Sequence, residues 1–275
     1  MSEKSRLLLC LSDTHIGSSI GLCPLAFSDV DEGPAITANV PQKWLHSQWR
    51  DLIEVWWPGV AGSDPWTLVL CGDLLEGIHH NSIQVVSQDP AVHARMAVEV
   101  LGELVDLPGC QAVYVVRGTE CHVGTLETDI SYQLGGIEDQ ATGSPVHDHL
   151  MISIAGCLCS FQHHISTSTK SWSGGNALQS AIVDEGYRCA AAGIRMPDVI
   201  VRAHRHQFGW LRTSAGACLA LPCFQLLTKY AKKVVQTSLA EVGAVALDWR
   251  DLDDGEIPIV RPRLYRTKPT PIWSV

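Results

Sequence analysis

Five apolar runs in this chain each end on residues that bind metals or move protons. Leu7-Leu8-Leu9-Cys10-Leu11 runs into Ser12-Asp13-Thr14-His15, and Leu68-Val69-Leu70-Cys71 into Gly72-Asp73-Leu74-Leu75-Glu76-Gly77. Val113-Tyr114-Val115-Val116 leads to Arg117-Gly118-Thr119-Glu120-Cys121-His122. Cys159-Ser160-Phe161-Gln162 ends on His163-His164, and Val199-Ile200-Val201-Arg202 on Ala203-His204-Arg205-His206. A short apolar run that stops this way reads as a buried strand delivering polar residues at its C-terminal tip. Any one tip reads equally well as an ordinary turn; five in order read as one two-metal site. Along a strand, side chains at i and i+2 point the same way, so Asp13 with His15, and His204 with His206, are each expected to reach one ion. Carboxylate and imidazole together suit Mn, Fe or Zn rather than Ca or Mg. Two such ions about 4 Å apart clamp a phosphoryl group and bridge an attacking hydroxide. Asp73 is the acid placed to bridge them.

Open α/β sheets build their sites beyond the carboxyl ends of the strands. Strands are expected at 5–12, 66–71, 111–117, 149–155, 157–162, 198–203 and 207–213. Gly156 turns a hairpin, and Asp253-Asp254-Gly255 turns a last one. Pro41 opens a helix carrying Leu45, Trp49, Leu52, Ile53 and Trp56 on one face, with Pro58-Gly59 as its stop. Asp89-Pro90 is an N-cap followed by proline at the first helical position, and the helix beyond it buries Val92, Met96, Val100, Leu101 and Leu104. Shorter and longer helices are expected at 126–135 and 176–192. The polar stretch Ser166 to Gly175 reads as a loop over the site, with Lys170, Trp172 and Asn176 as substrate contacts. His46, His93, His147 and His149 follow no pattern and read as surface residues. Strand–helix–strand in the first half and hairpins in the second give an α/β protein, two packed mixed β-sheets (a β-sandwich) flanked by helices. The whole of 1–275 reads as one domain, with the motifs over 7–206 and a C-terminal hairpin and tail over 207–275.

The chain has 275 residues, 46% of them apolar and 18% charged, enough for a sizeable core. A net charge of −9 argues against broad electrostatic binding to nucleic acid, although a local basic strip remains compatible with it. Bound divalent cations would neutralise part of that charge, since buried carboxylates need partners. No apolar stretch approaches the roughly 18 residues of a membrane span. Only Leu7 to Leu11 is apolar near the start and no small-residue cleavage site follows, so no signal peptide is expected and the protein reads as cytoplasmic. The ten cysteines include no C-x-x-C pair, and Cys10, Cys71, Cys157 and Cys159 lie inside strand-like runs as small hydrophobes.

The order D-x-H, G-D-x-x-acid, a variant of G-N-H, His, and a variant of G-H-x-H resembles the calcineurin-like metallophosphoesterase superfamily. The likeness spans about residues 7–206 and implies the calcineurin-like phosphoesterase fold with a dinuclear centre. It implies that Asp13, His15, Asp73 and His206 hold one metal, and that Asp73, a third-motif residue, His163 and His204 hold the other. His163 is preferred to His164 because it comes first off its strand. Gly118-Thr119-Glu120-Cys121-His122 departs from the family, which has Gly-Asn-His with Asn as a ligand and His as proton donor. Glu120 is the expected substitute ligand, since a carboxylate binds better than the Thr119 hydroxyl, and His122 is the displaced acid. Glu76 takes the place of the family's partner acid and is expected to hydrogen-bond His122 through its carboxylate. The R-G-T-E-x-H-V-G wording resembles phage- and prophage-encoded members.

The resemblance implies a phosphoesterase with two divalent transition-metal ions, Mn first, with Fe, Zn or Ni as alternatives. It hydrolyses a phosphomonoester or phosphodiester by direct attack of the bridging hydroxide, with His122 serving the leaving oxygen. Arg117, His79 and His80 are the expected substrate contacts. Nucleotides or nucleic acid are alternative substrates, which makes a nuclease or phosphodiesterase the second reading. A non-catalytic scaffold that kept the fold is the third, resting on the altered third motif alone. The Ser/Thr protein phosphatases of the superfamily carry Arg directly after the partner acid; Gly77 stands here, which sets that branch aside.

Overall fold

In the computed structural model, residues 5–28, 35–78, 83–166, 174–228 and 240–266 are described. The chain opens with β1 (Leu7–Leu11), short strands β2 (Ala26–Phe27) and β3 (Ile36–Thr37), and α1 (Val40–Asp51). A π-helical stretch, Leu52–Trp56, joins α1 to α2 (Trp57–Ala61). Then come β4 (Trp66–Cys71), α3 (Pro90–Val105), β5 (Cys110–Val116), α4 (Glu120–Val123) and α5 (Leu126–Gln133). β6 (Val146–His147), β7 (Leu150–Ile154), β8 (Cys157–Phe161) and α6 (Gly174–Ala192) follow, then β9 (Val199–Arg202), β10 (Gly209–Thr213) and β11 (Gly216–Ala220). The last pair is β12 (Val242–Asp248) and β13 (Ile259–Tyr265).

The strands make a six-stranded sheet, β13-β12-β1-β4-β5-β6, and a five-stranded sheet, β10-β11-β9-β8-β7. In the first, β1, β4, β5 and β6 run parallel; β12 is antiparallel to β1, and edge strand β13 is antiparallel to β12. In the second, β8, β9 and β11 are parallel, flanked by antiparallel β7 and β10. Both sheets are therefore mixed. The period-2 alternation of a strand shows how they stack. Leu8 and Cys10 of β1 pack with Val69 and Cys71 of β4 and with Cys159, Phe161, Val199 and Val201 of the other sheet. Leu7, Leu9 and Leu11 face the opposite way, into a core with Leu45, Trp49, Met96 and Leu101 from α1 and α3. The far face of the second sheet is covered by α6, through Ala177, Leu178, Ala181 and Ile182 on Ile200, Cys218 and Ala220. The result is two sheets face to face with helices on both outsides, the architecture that the family resemblance implies. Each fully buried leucine of β1 contributes roughly 1.5–3 kcal/mol of burial free energy.

Local chemistry explains most boundaries. Asn39 caps α1, its side chain accepting from Gln42 N while the Gln42 side chain returns the bond to the Asn39 backbone. Asp89 caps α3 by accepting from Ala91 N, with Pro90 in the first turn. The hairpin at Ala155-Gly156 places both residues at positive φ, 47° and 74°, as a type I′ turn requires. Pro58 and Gly59 do not end the first helix as expected; the chain stays helical to Ala61 and stops at Gly62, at φ 61°. Proline cannot donate to the carbonyl four residues back and its ring crowds it. The preceding turn widens instead, and Trp57 N donates to Leu52 O in the π pattern. β11 was not expected at all. His93 and His147, read as surface residues, are buried. A ring nitrogen of His93 meets Ser87 O at 3.0 Å, and one of His147 meets Ile137 O at 2.9 Å. No helix among the described residues is long and apolar enough to cross a membrane.

Candidate metal centre

The five expected tips all lie at the carboxyl ends of parallel strands: β1, β4 and β5 in one sheet, β8 and β9 in the other. Their side chains converge, but not by the strand pleat. β1 stops at Leu11 and β9 at Arg202, so Asp13, His15, His204 and His206 lie beyond the strands. What turns them inward is left-handed backbone: φ is 51° at Asp13, 43° at His15, 50° at Asp73, 69° at His204 and 56° at His206. Among the described residues Ala155 alone joins them as a non-glycine at positive φ. Each such residue costs roughly 1–2 kcal/mol. Strain concentrated on adjacent polar residues of separate loops marks a functional site.

The loops are held together before any ligand is considered. Asp13 N donates to Gly72 O at 3.0 Å, His15 N to Asp73 O at 3.1 Å, and Ala203 N to His163 O at 2.9 Å. Gly72 allows the closest approach: a Cβ there would stand 2.6 Å from Gly118 Cα and 2.7 Å from His163 Nδ1. Glu127 of α5, which nothing in the motifs marked, is fully buried; its carboxylate accepts from Leu74 N at 3.2 Å and from Gly118 N at 2.8 Å. Burial, with Asp73 adding to it, pushes its carboxyl up to about 7. The sequence signal for Glu127 is its place on the helical face of Ile130 and Leu134, three and seven residues on.

At the centre stand two buried carboxylates. Asp13 Oδ2 accepts from Ser12 Oγ and from His204 N, which leaves Oδ1 with no hydrogen-bond partner. That oxygen lies 3.2 Å from His206 Nε2 and 3.9 Å from both His15 Nε2 and His163 Nε2. Asp73 Oδ1 accepts from Thr119 N at 2.5 Å, and Oδ2 lies 3.1 Å from His163 Nε2 and 4.0 Å from His15 Nε2. His163 Nδ1 donates to Cys71 O at 2.7 Å, which fixes the tautomer and aims Nε2 inward. Nε2 is close to both carboxylates yet aligned with neither, and is likewise without a hydrogen-bond partner. Ligand atoms of Asp13, His15 and His206 lie close enough to share an ion, as do those of Asp13, Asp73 and His163, and those of His163, His164 and His204.

Electrostatics agrees with geometry. Burial pushes the Asp13 carboxyl up, but His163 and His206 outweigh that and hold it at about 2. Burial pushes His163 down, and the charges of Asp13 and Asp73 more than reverse it, to about 9. Burial, with His163 beside it, pushes His204 down to about 4. The carboxylates thus favour positive charge at their centre, and orphaned buried donor atoms point there. A divalent cation fits these residues.

No protein-family model matches the chain, and a search of curated proteins finds no match. Solved structures do resemble it. An archaeal phosphodiesterase is 10% identical over 94% of this chain and 99% of its own, with a TM-score of 0.45. Vps29 from Entamoeba histolytica in complex with Zn2+ is 12% identical over 94% and 98%, at 0.43. A predicted phosphoesterase from Streptococcus pneumoniae is 10% identical over 95% and 100%, at 0.36.

The remaining expected residues fall differently. Glu120, the expected substitute ligand, is the exposed first residue of α4 and belongs to none of the ligand clusters. The extended backbone ends at Thr119, so Thr119 is the residue that faces the centre, with Oγ1 3.2 Å from Asp73 Oδ2 and 3.5 Å from His204 Nδ1. Glu76 was expected to hold His122 by its carboxylate. Instead His122 Nδ1 meets the Glu76 main-chain carbonyl at 3.0 Å, because the loop after β4 turns that carbonyl toward α4. The carboxylate Oε2 lies 3.0 Å from His15 Nδ1 and accepts from Gln225 Nε2 at 2.8 Å. The His122 ring is half-buried at the edge of the cluster, its centroid 4.9 Å from that of His15. Arg117 Nε is engaged by Asp148 at 2.7 Å. His79, His80, Lys170 and Trp172 lie outside the described residues; Asn176 is exposed near the start of α6.

Proposed function

We propose that this chain is a phosphoesterase dependent on two divalent transition-metal ions, hydrolysing a phosphomonoester or phosphodiester. The observation that carries the reading is the pair of orphaned inward atoms, Asp13 Oδ1 and His163 Nε2, ringed by histidines from two sheets. Asp13, His15, Asp73 and His206 would hold one ion and Asp73, His163 and His204 the other, since Asp73 Oδ2 reaches histidines of both sets. When bound, such ions neutralise phosphoryl oxygens and make water a nucleophile near neutral pH. Carboxylate with imidazole favours Mn, Fe, Zn or Ni over Ca and Mg.

The protein's own groups set the rest. Nδ1–H of His122 donates to the Glu76 carbonyl, which fixes the tautomer and makes Nε2 the nitrogen that would exchange a proton with substrate. A proton donor so fixed at the edge of the cluster serves the leaving oxygen, a contribution typically worth about 10²–10⁴-fold. A phosphodiester in a nucleotide or nucleic acid is the alternative substrate. A cytoplasmic setting belongs to the same proposal: all ten cysteines are free thiols, eight of them buried.

The test is metal analysis joined to turnover. Protein loaded with Mn is expected to carry two ions per chain and to hydrolyse chromogenic phosphate mono- or diesters. Asp73→Asn is expected to lose most of that activity together with bound metal. A correctly folded wild type with no bound ion and no turnover on either ester class would end the proposal.

A further inference from the structure

We infer that His164 is a ligand of the second ion and supplies the donor that the variant third motif lacks. The inference rests on the metal reading above and concerns a residue outside its ligand set. Three facts carry it. Thr119 faces the site with a neutral hydroxyl, a weak donor for a transition metal, and Glu120 is turned to solvent. The ion assigned to Asp73, His163 and His204 therefore has three strong protein donors where the first has Asp13, His15, His206 and Asp73. His164 stands beside that incomplete set.

The rings have the right spacing. The centroid of His164 is 5.1 Å from that of His163 and 5.0 Å from that of His204, and His163 and His204 are 5.2 Å apart. All three pairs are edge-to-face, at 79°, 68° and 74°. Imidazoles bind such an ion through nitrogen at about 2.0–2.1 Å. With the centroid roughly 1.1 Å beyond the nitrogen, three imidazoles on one tetrahedral ion have centroids about 5.2 Å apart. The observed triangle has that size, and one nitrogen from each ring already lies within 4.8 Å of the others. His163 is buried with its tautomer fixed by Cys71, while His164 is exposed. The cluster thus has a fixed inner wall and an outer ligand on the solvent side. A set of three imidazoles and one carboxylate is richer in nitrogen than the first set, so the second site is the one selective for Zn, Ni or Co against Mg.

His164→Ala and Glu120→Ala decide the matter, with Co2+ and Zn2+ as probes and folding checked by circular dichroism. Because His164 is exposed, its removal leaves the core packing intact. For His164→Ala the expected result is one tightly held ion, the second weakened by about 10-fold or more, with a changed visible spectrum in the Co2+ form. That second ion should also yield to excess Mg2+, which the wild type resists. Glu120→Ala is expected to keep both ions and the wild-type spectrum. Two ions of unchanged affinity and an unchanged Co2+ spectrum in His164→Ala would overturn the assignment, as would loss of the second ion in Glu120→Ala alone. Either result leaves the phosphoesterase reading standing, whereas a wild type that binds no ion removes that reading first.

Discussion

Glu76 Oε2 stands 3.0 Å from His15 Nδ1 and is itself held by Gln225 Nε2, which also reaches Ser18 Oγ at 3.2 Å. All four side chains are buried. A carboxylate behind a metal-binding histidine fixes its ring and raises its basicity, and losing it typically costs about 10–100-fold in metal affinity. Glu76→Gln is therefore expected to weaken the first ion by about that factor, read by competition with a chromophoric chelator; unchanged affinity would remove Glu76 from the metal's support. The position of Glu76 was legible in G-D-x-x-E, but its partner was not. A motif records spacing along the chain, while the partner depends on which way the loop turns the carboxylate. The same limit explains Thr119 and Glu120. Carboxylate chemistry favoured Glu120, yet the helical turn beginning there carries it out to solvent. The convergence of Asp13, His15, Asp73, His163, His204 and His206 was legible because aspartate and histidine at five strand ends have few other reasons to recur. Their left-handed backbone was not, since no residue type there announces it.

At the scale of elements, the site depends on how closely the loops after β4 and β5 approach. Glu127 of α5 spans them, one oxygen on Leu74 N and the other on Gly118 N. Replacing it by alanine would leave two buried amides unpaired, at about 1–3 kcal/mol each. Glu127→Ala is thus expected to lose about 2–6 kcal/mol in urea unfolding, with metal affinity falling as Asp73 and Thr119 lose their fixed separation. A variant as stable as wild type would show that water or another group satisfies both amides. The parallel strands that present these loops were legible because both their faces are buried, giving unbroken apolar runs such as Leu7 to Leu11. β11 and the π-helical junction were not. β11, Gly-Ala-Cys-Leu-Ala, has little β-branched or aromatic character and is a strand because β9 and β10 flank it. The junction is legible only in retrospect, since Pro58 ordinarily ends a helix.

At the scale of the whole molecule, the proposed ions would take their ligands from both sheets. Asp13, His15 and Asp73 come from loops of the six-stranded sheet; His163, His204 and His206 come from loops of the five-stranded one. Between the sheets lies an apolar core of Leu8, Cys10, Val69, Phe161, Val201 and their neighbours, and the site caps one end of it. Folding brings buried aspartates together and holds five residues in left-handed conformations, costs that a cation in the centre would offset. A ligand bound only by the folded state adds about 2.7 kcal/mol of stability at 100 times its Kd. In a chain of this size each kcal/mol moves Tm by about 2–4 °C. Chelation of the metal-loaded protein is therefore expected to lower Tm by about 5–11 °C, measured by scanning calorimetry at fixed pH and ionic strength. In the double variant Asp13→Ala, Asp73→Ala the chelator should leave Tm unchanged, because neither ion retains its carboxylate. A drop of equal size in the double variant would place the stabilising metal elsewhere.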